Sequence, residues 1–243
     1  MKVDVFSLSE CGYLKDQNED AVFISRDNRV LAVADGVGGE PYGEVASGLA
    51  MDALDQLCES EPVEGLAEDE YEEWLERAVD FANELIYRRA EKDPKTFGMA
   101  TTMVAAIVGS GAAHVANVGD SRAMVLGRTR ASTITRDHTM EQVVSARHAR
   151  SKAMGTARKG GLTRMLGPDF SVTPDIYTVP LEPGDWLLLC TDGLHAVLAL
   201  DEIAQLAKDS ESAEDYCHAL IQAALERGGP DNVSVVAWRT TSG

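Results

Sequence analysis

The sequence predicts a mixed α+β fold whose sheets are largely antiparallel, and three observations carry this. Short β-rich runs follow one another almost without interruption from 101 to 135. Two helical patterns fall back to back after residue 43, so strands and helices do not alternate one for one as a parallel βαβ sheet requires. The 243 residues are 44% hydrophobic and 26% charged, an ordinary globular composition, and a chain of this length buries a sizeable core as one large domain.

Taken in order, "VDVFSLS" (3–9) and "AVFIS" (21–25) are β-branched and aromatic runs. "VLAVAD" (30–35) reads as a buried strand that ends in Asp35, directly before a loop containing Gly36, Gly38, Gly39 and Gly43. Ala46, Leu49, Ala50, Ala53, Leu54 and Leu57 follow helical spacing, as do Tyr71, Trp74, Leu75, Ala78, Ala82, Leu85 and Ile86. The acidic stretch between them, "CESEPVEGLAEDEYEE", reads as a solvated loop bounded by helices. "TTMVAAIV", "AAHVANVG", "RAMVLG" and "ASTIT" supply the strands of 101–135, and "WLLLC" (186–190) and "VSVVAW" (233–238) supply two more. A third helical stripe runs through Ala213, Tyr216, Cys217, Leu220 and Ala224. No internal repeat, low-complexity tract or interdomain linker interrupts the pattern.

Forty Asp and Glu against 22 Lys and Arg give a formal net charge of −18, which disfavours nucleic-acid binding because phosphates are repelled. The N-terminus lacks the apolar stretch of a signal peptide, and no segment approaches 18 apolar residues, so the expectation is neither export nor membrane spanning. The four cysteines form no C-x-x-C pair, and Cys58 and Cys190 read as packed thiols in a reducing cytoplasm. Against this acidic background, residues 136–164 hold seven basic side chains and only two acids. The stretch is small and polar, and reads as an irregular segment lying over the fold.

Acids recur at the strand ends. Asp35 closes "VLAVAD", Asp120 closes "HVANVGD", Asp192 closes "WLLLCTD", Asp231 precedes "VSVVAW", and Glu19 and Asp20 open "AVFIS". Each alone is a common turn residue. Brought to one place they would repel and raise one another's pKa values, so a cation must offset them. An all-oxygen ligand set suits Mg²⁺ or Mn²⁺ rather than zinc, and the five histidines contain no close ligand pair. Other motifs fail on inspection: "DQNEDA" has Ala21 where a calcium loop needs Gly, "GVGGEPYG" breaks the dinucleotide pattern at Pro41, and "GTARKGG" has Gly161 where a phosphate loop needs Lys. No G-x-S-x-G elbow supports a serine nucleophile.

With these residues in view, the chain resembles the metal-dependent protein serine/threonine phosphatases of type 2C in their compact bacterial form. The resemblance runs from Gly12 to Trp238 through "GYLKDQNEDA", "VLAVADGVGG", "GMATTMVAAIV", "HVANVGDSRAMV", "ITRDHT", "LTRMLG", "PGDWLLLCTDGL" and "GGPDNVSVVAW". It implies one catalytic domain over 1–243, a central sandwich of two antiparallel sheets flanked by helices on both sides (αββα), and a metal site at one end. By the same resemblance Asp35 bridges two Mn²⁺ or Mg²⁺ ions and the Gly36 carbonyl binds one of them. Asp192 and Asp231 hold the other, Glu19 and Asp20 act through water, and Asp120 with Asp192 matches a third-metal position. A metal-bridging hydroxide would then attack phosphoserine or phosphothreonine directly, with no covalent enzyme intermediate.

The resemblance further implies a phosphorylated protein substrate and a cognate bacterial Ser/Thr kinase for a monomeric cytoplasmic enzyme, and it matches the basic stretch to a substrate flap over about 139–163. Two departures stand out. Lys15 occupies the place of an arginine that grips phosphate, and a lysine cannot form the bidentate fork. Val37 occupies the place of a proposed general-acid histidine, leaving protonation of the leaving group to a metal-bound water. The first departure motivates an alternative, a catalytically weak pseudophosphatase that binds phosphoproteins.

Overall fold

A computed structural model describes residues 2–37, 42–140 and 161–241. The chain forms β1 (Lys2–Glu10), β2 (Asp20–Ile24), β3 (Val30–Asp35), α1 (Gly43–Ser60), α2 (Tyr71–Lys92), β4 (Met103–Val108), β5 (Ala112–Val118), β6 (Arg122–Leu126) and β7 (Ala131–Thr133). It continues through β8 (Asp175–Pro180), β9 (Trp186–Cys190), α3 (Asp192–His195), α4 (Leu200–Asp209), α5 (Ala213–Glu226) and β10 (Val233–Thr241). Two five-stranded sheets result, ordered β1-β10-β9-β6-β7 and β2-β3-β4-β5-β8. Every pairing within them is antiparallel.

The continuous apolar runs have a direct cause: the central strands are covered on both faces. In β3, Val30, Ala32 and Ala34 face the cluster built with α1 and α2, whereas Leu31 and Val33 face the opposite sheet. In β9, Leu187 and Leu189 fill the space between the sheets, and Trp186, Leu188 and Cys190 pack with α4 and α5. Three apolar layers therefore separate four layers of secondary structure, the αββα order expected. Burial of each large side chain such as Trp74, Leu54 or Tyr216 contributes about 1.5–3 kcal/mol before entropy is counted. All three helical stripes lie on these layers, with Leu49 and Leu85 half-buried at their margins. Of the acidic stretch 58–73, residues 58–60 end α1 and 71–73 begin α2, and the exposed connection between them contains two short 3-10 turns, Val63–Gly65 and Glu68–Glu70.

Two elements lack a sequence signal. β8 is an edge strand with Asp175 at its start and Pro180 at its end, half-buried or exposed throughout. α4 buries only Ile203, Ala204 and Ala207, and its first turn is fixed by the Glu202 carboxylate accepting from the Ala199 N–H at 2.9 Å. Burial pushes the Cys58, Cys190 and Cys217 thiols up to about 12, so they pack as apolar groups. The proposed flap lies almost wholly outside the described residues. Its anchors are visible: Thr139 bridges Leu162, and the Thr163 N–H donates to the His138 carbonyl at 2.7 Å.

Candidate active site

At one end of the sandwich the two sheets deliver their acids to a common cleft lined by Lys15, Glu19, Asp35, Asp120, Asp192 and Asp231, with Val37, Thr102, Leu162 and Met165 at its margins. The register explains the convergence. Asp20 at the start of β2 lies directly across from Asp35 at the end of β3, a like-charged cross-strand pair that an ordinary sheet avoids. From the other sheet, Asp192 follows β9 and Asp231 precedes β10, two strands that are hydrogen-bonded neighbours. Asp120 precedes β6 on the far side of β9.

The backbone around Asp35 is held tightly. Its N–H donates to Thr102 Oγ1 at 3.0 Å, and its carbonyl accepts from the Thr102 N–H at 2.9 Å and from Thr101 Oγ1 at 2.8 Å. The next residue has room for no side chain: a Cβ on Gly36 would lie 2.5 Å from the Gly43 carbonyl and 2.7 Å from that of Glu19. Gly193 is constrained likewise, because a Cβ there would fall 1.9 Å from the Asn232 carbonyl. These two close approaches press the Asp35 loop against α1, and α3 against the start of β10.

Electrostatics mark the cluster as strained in the absence of a cation. Burial, then Asp20, Asp192 and Asp120 nearby, hold the Asp35 carboxyl well above the usual range, and its carboxyl meets that of Asp192. Burial raises Asp20 to about 7, with Asp192 and Asp231 adding to the shift against bonds from Ser234 and Thr191. Asp120 is raised to about 6 by burial and by Asp192 and Asp137. Glu19 is raised as well, by burial first, despite Lys15. Asp20 accepts from Thr191 Oγ1 at 2.8 Å through Oδ2. Its Oδ1, like Asp192 Oδ1, is buried without a hydrogen-bond partner.

Orphaned carboxylate oxygens among mutually repelling acids fit hard divalent cations. Among the described residues these acids share the cleft, but no three of them, with or without histidine or cysteine, stand close enough to hold a metal ion as placed.

Lys15 is the cation the chain itself supplies. Its Nζ lies 2.6 Å from Asp231 Oδ1, with about a third of each side chain exposed. Burial works against its charge, but the Asp231 bond and the fields of Asp35 and Glu19 outweigh this and raise its pKa. Of the sequence-predicted residues, Lys15, Glu19, Asp35, Asp120, Asp192 and Asp231 line the cleft, whereas Asp20 lies across from Asp35 and Gly36 follows it, neither in the lining.

Supporting residues were not singled out from the sequence. Asn232 accepts from the Glu19 N–H at 3.0 Å and donates to the Gln17 carbonyl at 3.0 Å, joining the N-terminal loop to the start of β10. His195, on the turn that begins with Asp192, bonds the Asp120 carbonyl through Nε2 at 2.9 Å. Its ring braces the Asp120 loop, and it is not among the residues that line the cleft. Only adjacency to an acid, as in "PDN" and "DGLH", hints at either role.

The family model for protein phosphatase 2C matches residues 4–233. The chain belongs to the protein phosphatase 2C family. The serine/threonine phosphatase stp of Listeria welshimeri is 35% identical over 230 residues, covering 93% of this phosphatase and 91% of the relative. The crystal structure of the serine/threonine phosphatase Stp1 from Staphylococcus aureus superposes with a TM-score of 0.87 at 30% identity, over 100% of this chain and 96% of that one. The catalytic domain of the serine/threonine protein phosphatase PstP, solved in complex with two manganese ions, aligns over 99% of both chains at 31% identity with a TM-score of 0.83. As a family member this phosphatase is a metal-dependent protein serine/threonine phosphatase, and the sheet-end cleft is its candidate active site. Among the described residues no helix is long and apolar enough to cross a membrane.

Proposed function

We propose that residues 1–243 work as one catalytic domain in the cytoplasm, hydrolysing phosphoserine and phosphothreonine on proteins in opposition to a Ser/Thr kinase. The observation that carries this reading is the convergence of Asp20, Asp35, Asp120, Asp192 and Asp231 with orphaned carboxylate oxygens. Asp35, the Gly36 carbonyl, Asp192 and Asp231 would hold two Mn²⁺ or Mg²⁺ ions, Glu19 and Asp20 would act on their water shell, and Asp120 with Asp192 would take a third. Bound there, the cations supply Lewis acidity and an acidified water as nucleophile.

The residues of the chain do the positioning. Asp35 is fixed by Thr101 and Thr102, so its carboxylate stands still while charge develops on the phosphoryl group. Lys15 lines the cleft beside Asp231 and would attract the phosphoryl oxygens as a point charge. Val37 lines the cleft and offers no proton, so leaving-group protonation falls to water. The protein is read as a monomer, and the basic flap segment, outside the described residues, as a steering element for an acidic partner.

The test is Mn²⁺-dependent release of phosphate from a phosphothreonine peptide. Absence of turnover with peptide binding intact would instead favour the pseudophosphatase, a reading motivated by Lys15 in place of arginine. Lys15→Ala is expected to raise KM for the peptide about tenfold, the loss of one charge-assisted contact, while the Mn²⁺ activation curve changes little. Lys15→Arg should keep KM at or below its original value. An unchanged KM in Lys15→Ala removes the lysine from phosphate binding.

A further inference from the structure

At the end of the β1-β10-β9-β6-β7 sheet remote from the acids lies a second cavity of about 650 Å³. Its separation from the active site follows from the strands. Leu126 ends β6, which begins just after Asp120; Trp186 begins β9, which ends just before Asp192; Arg239 lies near the end of β10, which begins just after Asp231. The walls are the β6–β7 turn, the β8–β9 turn, the last turn of α4 and the end of β10.

Four cationic side chains from three of those walls line it: Arg128, Arg130, Lys208 and Arg239. The lining acids are Glu182 and Asp185. A net positive cavity in a chain of formal charge −18 runs against the protein's own background.

Two of the four cations are ion-paired, Arg130 with Asp185 and Arg239 with Asp4, and Arg128 and Lys208 are left over. Asp185 accepts from Arg130 Nη2 at 2.5 Å and from the Glu182 N–H at 3.1 Å, so its Oδ2 is committed. Arg130 Nη2 also donates to the Pro180 carbonyl at 2.8 Å, yet Arg130 Nε is buried with no partner. A buried guanidinium N–H without an acceptor is costly. Arg239 is laid flat over Trp186, its Cζ 4.0 Å from the ring centroid, and is fixed by Asp4 at 3.0 Å and by the Glu211 carbonyl. It therefore presents a preorganised positive wall. Arg128 and Lys208 are exposed and carry no hydrogen bond or ion pair among the described residues.

Concavity and size match a small ligand, while the guanidinium groups of Arg128, Arg130 and Arg239 with the Lys208 ammonium suit phosphoryl oxygens. We propose that this cavity is a second binding site, for a small phosphate polyanion of the pyrophosphate type, free or as the diphosphate of a nucleotide.

Calorimetric titration of the Mg²⁺-loaded phosphatase with pyrophosphate and, separately, with ADP tests this. Saturable binding of either is expected, weakened at least tenfold when Arg128→Glu and Lys208→Glu are combined, with p-nitrophenyl phosphate turnover unchanged. Pyrophosphate alone binding identifies the free anion, and tighter ADP binding identifies the nucleotide. A control pair on α2, Arg88→Glu with Lys92→Glu, alters net charge equally and should bind as the original does. Equal weakening in the control, equal affinity in all three proteins, no binding to either probe, or binding of a polyglutamate peptide in their place would each overturn the proposal.

Discussion

Asp35→Ala is expected to lower kcat for Mn²⁺-dependent hydrolysis of p-nitrophenyl phosphate by about 10³-fold or more, because in the proposed assignment it removes the bridging carboxylate and with it several kcal/mol of charge stabilisation. The same substitution should raise the melting temperature of the EDTA-treated protein. Asp35 is the acid most crowded by its neighbours, being desolvated and facing Asp20, Asp192 and Asp120, and deletion relieves that repulsion. Opposite signs for activity and apo stability separate a ligand from a merely structural residue, whose loss lowers both. Asp20→Asn should cost far less activity, about tenfold, since Asp20 stands behind the cleft on Thr191. Retention of activity within about tenfold in Asp35→Ala would remove it from the bridging role.

The second large effect is a pH-dependent gap between metal-loaded and metal-free protein. Asp20 and Asp120 titrate near 7 and 6 when folded, against about 3.9 in an unfolded chain. The folded apo protein thus binds more protons than the unfolded chain across this range, and its stability falls as pH rises from about 4, with the loss complete above about 7. Bound cations need the deprotonated acids, so their stabilisation grows over the same range. Thermal melts in EDTA and in saturating Mn²⁺ at pH 5, 6, 7 and 8 should show the gap widening by more than about 3 °C. A gap that stays constant or narrows sinks the coupling between these acids and the metal.

Most of the fold was legible because its strands are covered on both sides. "VLAVAD", "TTMVAAIV" and "WLLLC" are unbroken apolar runs since both pleat faces meet side chains, and α1, α2 and α5 carry broad stripes since each lies on a sheet. β8 was not legible because an edge strand needs only partial cover, so Asp175, Thr178 and Pro180 dilute it. α4 escaped because two of its three buried residues are alanines.

At the site, residue types were readable and distances were not. Five strand-end acids each looked like a turn residue. Their meeting depends on register, as in the Asp20–Asp35 pair, and on which strands neighbour one another, as with β9 and β10. The partners of Asn232 and His195, Glu19 and Asp120, lie 213 and 75 positions away, so their bracing could not be read from the sequence.

The seating of β10 between β1 and β9 has a consequence for synthesis. A chain leaving the ribosome N-terminus first exposes β1 with its neighbouring position vacant, and carries Lys15, Glu19, Asp20, Asp35, Asp120 and Asp192 long before Asp231. Lys2 pairs with Thr241 and Glu10 with Val233, so the sheet closes only after the last described strand has been made. Such distant pairing is slow to form and leaves open edges while it waits. Until β10 is in place, the proposed ligand set lacks Asp231 and the edge of β1 stays open to other strands.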